Sequence, residues 1–188
     1  GYNGTDRFGK DNRFGFFPAV SAGYVISEEN FFKNVDWLEK NVQLFKIRAS
    51  YGLVGSDVAA GGRYLYRQVY EKGDAYNFGE NNSIKYEGIK EGNLANLNVS
   101  WEKAKKFDVA VEMNLFNKIS FTFDYFLEKR YDQLVTRNDI PDILGIGFSP
   151  ENVARTTNKG FDGQIGYQDR FGEFDFNTNL TYLYSKNK

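Results

Sequence analysis

Cysteine and histidine are both missing from this 188-residue chain, and proline occurs only 3 times. Without cysteine there is no disulfide framework and no thiolate metal site; without histidine the commonest metal ligand and general base are gone. Catalysis and metal binding therefore start from a poor residue set, and no motif asks for a cofactor. Charge of one sign is lacking too: the net charge is −1, which points to no nucleic-acid surface and no polybasic membrane patch. There is no long apolar run, and the mean hydropathy of −0.57 excludes a transmembrane helix. It does not exclude a membrane β-barrel, whose strands alternate apolar and polar residues and average out as polar. What the chain has in abundance is aromatic residues, at 18%, together with 19 glycines, a composition that favours all-β architecture.

The clearest pattern lies between Phe107 and Leu127. Phe107, Val109, Val111, Met113 and Leu115 alternate with Asp108, Ala110, Glu112 and Asn114. Beyond Phe116-Asn117-Lys118 the alternation resumes as Ile119, Phe121, Phe123, Tyr125 and Leu127, with Ser120, Thr122 and Asp124 between them and Phe126 as the one mismatch. This period of two predicts a β-hairpin. A slip of one residue would put apolar groups on the wrong face, so Leu115 is expected opposite Ile119 and Val111 opposite Phe123. The turn has three residues, with Asn117 suited to a left-handed conformation.

Around this hairpin the chain reads as strands separated by connections of two kinds. Residues 1–15 read as an exposed loop, followed by a strand through Val20 and Tyr24. Ser27, as a cap, opens a short helical connection over 27–42, and Phe45–Leu53 is the next strand. Residues 55–98 form a long glycine-punctuated connection holding a weak strand pair, within Arg63–Tyr70 and Ser83–Gly88. A second long connection covers 136–159. Two last strands, Phe161–Gln168 and Phe174–Ser185, pair across a four-residue turn at Asp169–Gly172, with Tyr167 opposite Phe174 and Lys186–Lys188 as a further turn. Short turns thus collect at one end and long connections at the other, the asymmetry of outer-membrane barrels. Strands of about 9–11 residues suit a tilted crossing of a bilayer. In such a wall Phe107, Val109, Val111, Met113, Leu115, Phe121, Phe123 and Tyr125 face lipid. Trp101, Tyr125, Tyr167 and Phe174 are the expected interface anchors, and Lys46 and Arg48 lie beside Glu112 on the polar face. A small soluble antiparallel β-sheet acting as a surface binding module would show the same alternation, its apolar face a private core.

The segments RFGKDNRFGFFPAVSAGYVISEENFF (7–32), LFKIRASYGLVGS (44–56), NLNVSWEKAKKFDVAVEMNLFN (96–117) and NKGFDGQIGYQ (158–168) resemble the barrel of the SusC/RagA-type TonB-linked outer-membrane transporters of Bacteroidetes. The resemblance covers nearly the whole chain in order. It implies six to eight strands from an antiparallel up-and-down transmembrane barrel of about 22 strands, with the plug and remaining strands outside residues 1–188. It further implies a Gram-negative outer-membrane location, uptake of glycans or peptides, a SusD-like lipoprotein lid on the outside and TonB in the periplasm. Residues 27–42 are then a periplasmic connection, and 55–98 and 136–159 extracellular loops.

Among candidate sites, Asp108, Glu112, Asp124 and Glu128 are better explained as a hydrated wall than as a glycosidase pair. Gly145-Ile146-Gly147 lacks the strand-to-helix setting of a nucleotide loop. The aromatic connection is the live candidate: Tyr64, Tyr66, Tyr70, Tyr76 and Phe78 offer faces on which sugar rings stack, with Arg67 or Asp74 hydrogen-bonding the hydroxyls. The same rings could instead pack the loop against its neighbours or against a lid protein.

Overall fold

The computed structural model describes residues 1–58, 62–137 and 145–188. Short strands β1 (Tyr2–Gly4) and β2 (Phe14–Phe16) pair with one another. The main sheet is antiparallel and is built from β3 (Ala19–Val25), β4 (Val42–Ser56), β7 (Glu102–Leu115), β8 (Ile119–Val135), β9 (Glu151–Phe171) and β10 (Phe174–Asn187), in the order β10-β9-β8-β7-β4-β3. Strands β5 (Tyr70–Phe78) and β6 (Ile84–Glu91) form a separate hairpin between β4 and β7. The sheet does not close on itself within the described residues.

The β7–β8 register is Leu115↔Ile119, Met113↔Phe121, Val111↔Phe123 and Val109↔Tyr125, which is what a single apolar face requires. Phe116 and Asn117 both take positive φ, of 57° and 53°. The aromatic residue is held there because its N–H donates to Asn41 O at 2.7 Å and the next N–H to Gln43 Oε1 at 2.9 Å. Neighbouring registers carry the apolar face across the sheet: one row reads Tyr24, Ile47, Val111, Phe123, Gly163 and Tyr182 from β3 to β10. Phe126, the mismatch in the alternation, points to the polar face, where its ring lies over Gly160, its cross-strand partner; a Cβ at Gly160 would collide with that ring and with the Tyr184 carbonyl.

Several boundaries differ from the sequence reading. β9 begins at Glu151, so the second long connection is shorter than 136–159; positions 138–144 of it lie outside the described residues. Thr156, Thr157 and Asn158 leave this stretch with no apolar face, and without one alternation cannot announce a strand. The β9–β10 turn is Gly172-Glu173, with Gly172 at φ 66°, so Tyr167 pairs with Thr178 rather than Phe174. The offset is even, so the apolar faces still coincide. Lys186 stays in the ladder opposite Lys159 instead of turning. Strand β5 begins where the expected one ended, since the turn Gly79–Asn82, with positive φ at both ends, sets the hairpin. Ser27 caps nothing: it sits in a 3-10 turn, Ile26–Glu28, ahead of α1 (Asn30–Lys33) and α2 (Asp36–Asn41).

Residues 1–15 are not a free loop. Phe8 is fully buried, and with Phe17, Val99, Trp101 and Leu134 it forms the core of the molecule. Phe8 and Phe17 meet the Trp101 indole edge-on at 5.6 and 5.1 Å. Trp101 is therefore the centre of a plug of side chains under the long connections, not an interface anchor. This core lies at one end of the sheet and does not cover its apolar face. Phe107, Phe123, Ile165 and Leu180 are 37%, 40%, 48% and 70% exposed, and among the described residues nothing packs over them.

Candidate functional site

Two constellations arise from this arrangement. The first is the polar face of the sheet. The register brings Lys46 and Arg48 of β4 against Glu112 of β7, and Arg48 reaches on to Asp124 of β8. Lys46 Nζ donates to Glu112 Oε2 at 3.3 Å, Arg48 Nε to Glu112 Oε1 at 2.8 Å, and Arg48 Nη2 to Asp124 Oδ1 at 2.6 Å. Further along, Lys106 and Arg130 share Glu128. Each of these cations has a carboxylate beside it, so the polar face is nearly neutral. Its side chains bond one another and are not poised for acid–base chemistry. At the short-turn end, Lys118 donates to Asp169 at 2.7 Å, and this bond holds its ammonium above the usual lysine range. Among the described residues, no group of three or more carboxylates is placed to hold a metal ion.

The second constellation is aromatic and lies in the connection between β4 and β7. The sequence candidates separate into three places. Tyr64, Tyr66 and Arg67 form one cluster, the guanidinium 5.2 and 5.6 Å from the two ring centroids. Tyr64 Oη donates to Asp6 Oδ2 at 3.0 Å, and Tyr66 packs on the Trp101 core. Tyr64 and Tyr66 bind the connection to the amino-terminal hairpin through Asp6, with Arg67 stacked on both, so the two rings are largely committed to packing.

Tyr76 and Phe78 share a face of the β5–β6 hairpin with Ile84 and Tyr86, their cross-strand partners. All four are half or more exposed, at 65%, 55%, 50% and 61%, and Phe78 meets Tyr86 edge-on at 5.8 Å. Tyr70, opposite Glu91, falls on the other face of the hairpin, beyond the bulge at 73–74, where Asp74 is exposed. Ile84 and Tyr86 were not singled out from the sequence. Their alternation within Ser83–Gly88 was visible, but only the register through the Gly79–Asn82 turn sets them against Tyr76 and Phe78.

Long antiparallel strands, an uncovered apolar face, a charge-paired polar face and connections sorted by length define a section of a β-barrel wall. The chain belongs to the family described as TonB dependent receptor-like, beta-barrel, which matches residues 1–188. TonB-dependent receptor P3 of Formosa agariphila is 27% identical over 187 residues, covering 99% of this chain and 18% of that protein. TonB-dependent receptor SusC of Bacteroides thetaiotaomicron is 28% identical over 190 residues, covering 96% of this chain and 17% of that protein. The chain thus spans under a fifth of the length of these relatives. The solved RagAB peptide importer in its closed-closed state shares the fold, with a TM-score of 0.81 and 21% identity over 99% of this chain and 19% of that one.

Proposed function

We propose that these residues form one stretch of wall of a TonB-dependent outer-membrane transporter that imports oligomeric nutrients. The observation that carries this reading is the uncovered apolar face backed by paired charges. Phe107–Leu115 contributes about nine residues, the length a tilted strand needs to cross a bilayer. Lipid covers the apolar face, and the polar face lines the lumen. The short turns and the 27–42 connection face the periplasm, where TonB engages the complete protein. The long connections face outward, beneath a SusD-like lipoprotein.

In this orientation the exposed Tyr76, Phe78, Ile84 and Tyr86 face is the contact surface for incoming oligomers. Flat rings with a hydroxyl tip suit sugar rings and peptide side chains alike. Tyr64, Tyr66 and Arg67 hold the base of the connection, Tyr70 lies on the other face of the hairpin, and Asp74 sits in the bulge opposite Gly88.

The test is uptake by the full-length receptor carrying Tyr76→Ala and Tyr86→Ala. Loss of both rings is expected to weaken the half-saturating concentration of a bound oligosaccharide or peptide by roughly five- to tenfold, leaving receptor abundance unchanged. Unchanged uptake of every oligomer that the receptor takes up would remove the hairpin from the substrate path.

A further inference from the structure

The net charge of −1 conceals a segregation of charge that the register exposes. On the polar face Lys46, Arg48, Lys106 and Arg130 all have carboxylate partners. The apolar face behaves differently where it ends toward the long connections. In the row of Tyr51, Phe107 and Leu127, the next two positions are Lys159 and Lys186, directly opposite one another. One row further on, Lys105 and Lys129 are directly opposite one another as well. Lys129 and Lys159 are diagonal neighbours, because Leu127 faces Lys159 and Lys129 faces Thr157.

These four lysines are exposed, and among the described residues none of them makes an ion pair. Asp132, a carboxylate beside the next row, is already engaged by Lys103 at 3.3 Å. Like charges placed directly opposite in a ladder destabilise it, and here two such pairs are linked into a continuous patch. On a lipid-facing surface a cation is tolerated where its stem lies along the apolar belt and its head reaches the headgroups. Tyr131 marks that level: Lys103 and Lys105 lie 5.8 and 5.5 Å from its ring centroid, the ring being of the type that settles at membrane interfaces.

We propose that Lys105, Lys129, Lys159 and Lys186 form a binding surface for the phosphorylated headgroups of outer-leaflet lipid. The proposal rests on the barrel orientation given above. A phosphate monoester carries between one and two negative charges and several acceptor oxygens, enough to bridge a pair of opposed ammonium groups and relieve their repulsion. The free ligand chemistry is that of any phosphate; the position at the edge of the apolar belt selects the lipid-borne form.

The experiment uses the full-length receptor in detergent, as wild type and as K105Q/K129Q/K159Q/K186Q, with bisphosphorylated lipid A, the same lipid stripped of phosphate, and inorganic phosphate as probes. Bisphosphorylated lipid A is expected to raise the melting temperature of the wild type, with an apparent affinity about tenfold or more above that of the quadruple variant. The four lysine-to-arginine changes should restore the response, and Lys85→Gln should leave it unaltered. Equal responses of wild type and quadruple variant would overturn the proposal, as would an equal effect of the phosphate-free lipid. Reproduction of the effect by inorganic phosphate would overturn the lipid as its source. Orientation is read separately, by labelling Glu80→Cys on intact cells with a membrane-impermeant reagent. Protection there refutes the sidedness of the barrel, and with it the outer leaflet, whatever the detergent experiment gives.

Discussion

Val111→Arg is expected to destabilise the full-length receptor in its membrane by about 2–4 kcal/mol and to reduce its assembly in the outer membrane sharply. Val111 lies in the middle of the Phe107–Leu115 run, between Ile47 and Phe123 in a row with no polar partner. An arginine at mid-belt cannot reach either headgroup layer cheaply. The informative comparison is Thr122→Lys, one row away on the other face, where Glu112 is the cross-strand partner. That lysine gains a carboxylate in a hydrated setting, and a stability change within about 1 kcal/mol is expected. Heat-modifiable gel mobility and surface abundance of the two variants measure the contrast. Equal tolerance of both substitutions would mean that the Val111 face does not meet lipid.

Trp101→Ala is expected to cost about 3–5 kcal/mol, the range for deleting a large buried aromatic side chain. The indole is 7% exposed and is the common partner of Phe8 and Phe17. These rings join the amino-terminal hairpin to the start of β7, so their loss frees the long connections without touching the membrane wall. The expected signature is rapid proteolysis within residues 1–18 and 62–100 while the strands stay protected. Trp101→Phe should recover much of the stability, since the indole N–H makes no hydrogen bond. A Trp101→Ala receptor as resistant as wild type would show that this cluster does not hold the connections down.

The parts of the fold legible in the sequence were those in which one face must differ from the other. From Phe107 to Leu127 the apolar side chains of both strands alternate with Phe126 as the one exception, and a slip would invert the faces, so the residues alone determine the register. Past Arg130 this condition lapses. The first residues of β9 have no apolar face, and their pairing with β8 runs through bulges that follow from backbone geometry rather than side-chain type. Phe8 and Trp101 were misplaced for a related reason. Their partners are far apart in the chain, and a core built across loops has no local period.

The candidate site was legible in composition but not in arrangement. Tyr64 and Tyr66 look equivalent to Tyr76 and Phe78 in a list of aromatic residues. The Asp6 hydrogen bond and the Arg67 stacking commit the first two to packing, and the tight turn after Phe78 assembles the second two with Ile84 and Tyr86. The lysine patch was invisible to net charge, because Lys105 and Lys129 become neighbours only once the hairpin is paired, and carboxylates elsewhere balance the sum.

In the proposed orientation this sheet is a membrane wall with lipid on one face and water on the other. That arrangement is tested most directly by single cysteine substitutions at successive positions from 107 to 115 of the full-length receptor in native outer membranes, each spin-labelled and read for accessibility to oxygen and to a water-soluble nickel chelate. The expected pattern has a period of two: oxygen high at Phe107, Val109, Val111, Met113 and Leu115, and nickel high at Asp108, Glu112 and Asn114. Accessibility without that alternation, or nickel reaching Val111 as readily as Glu112, would contradict it.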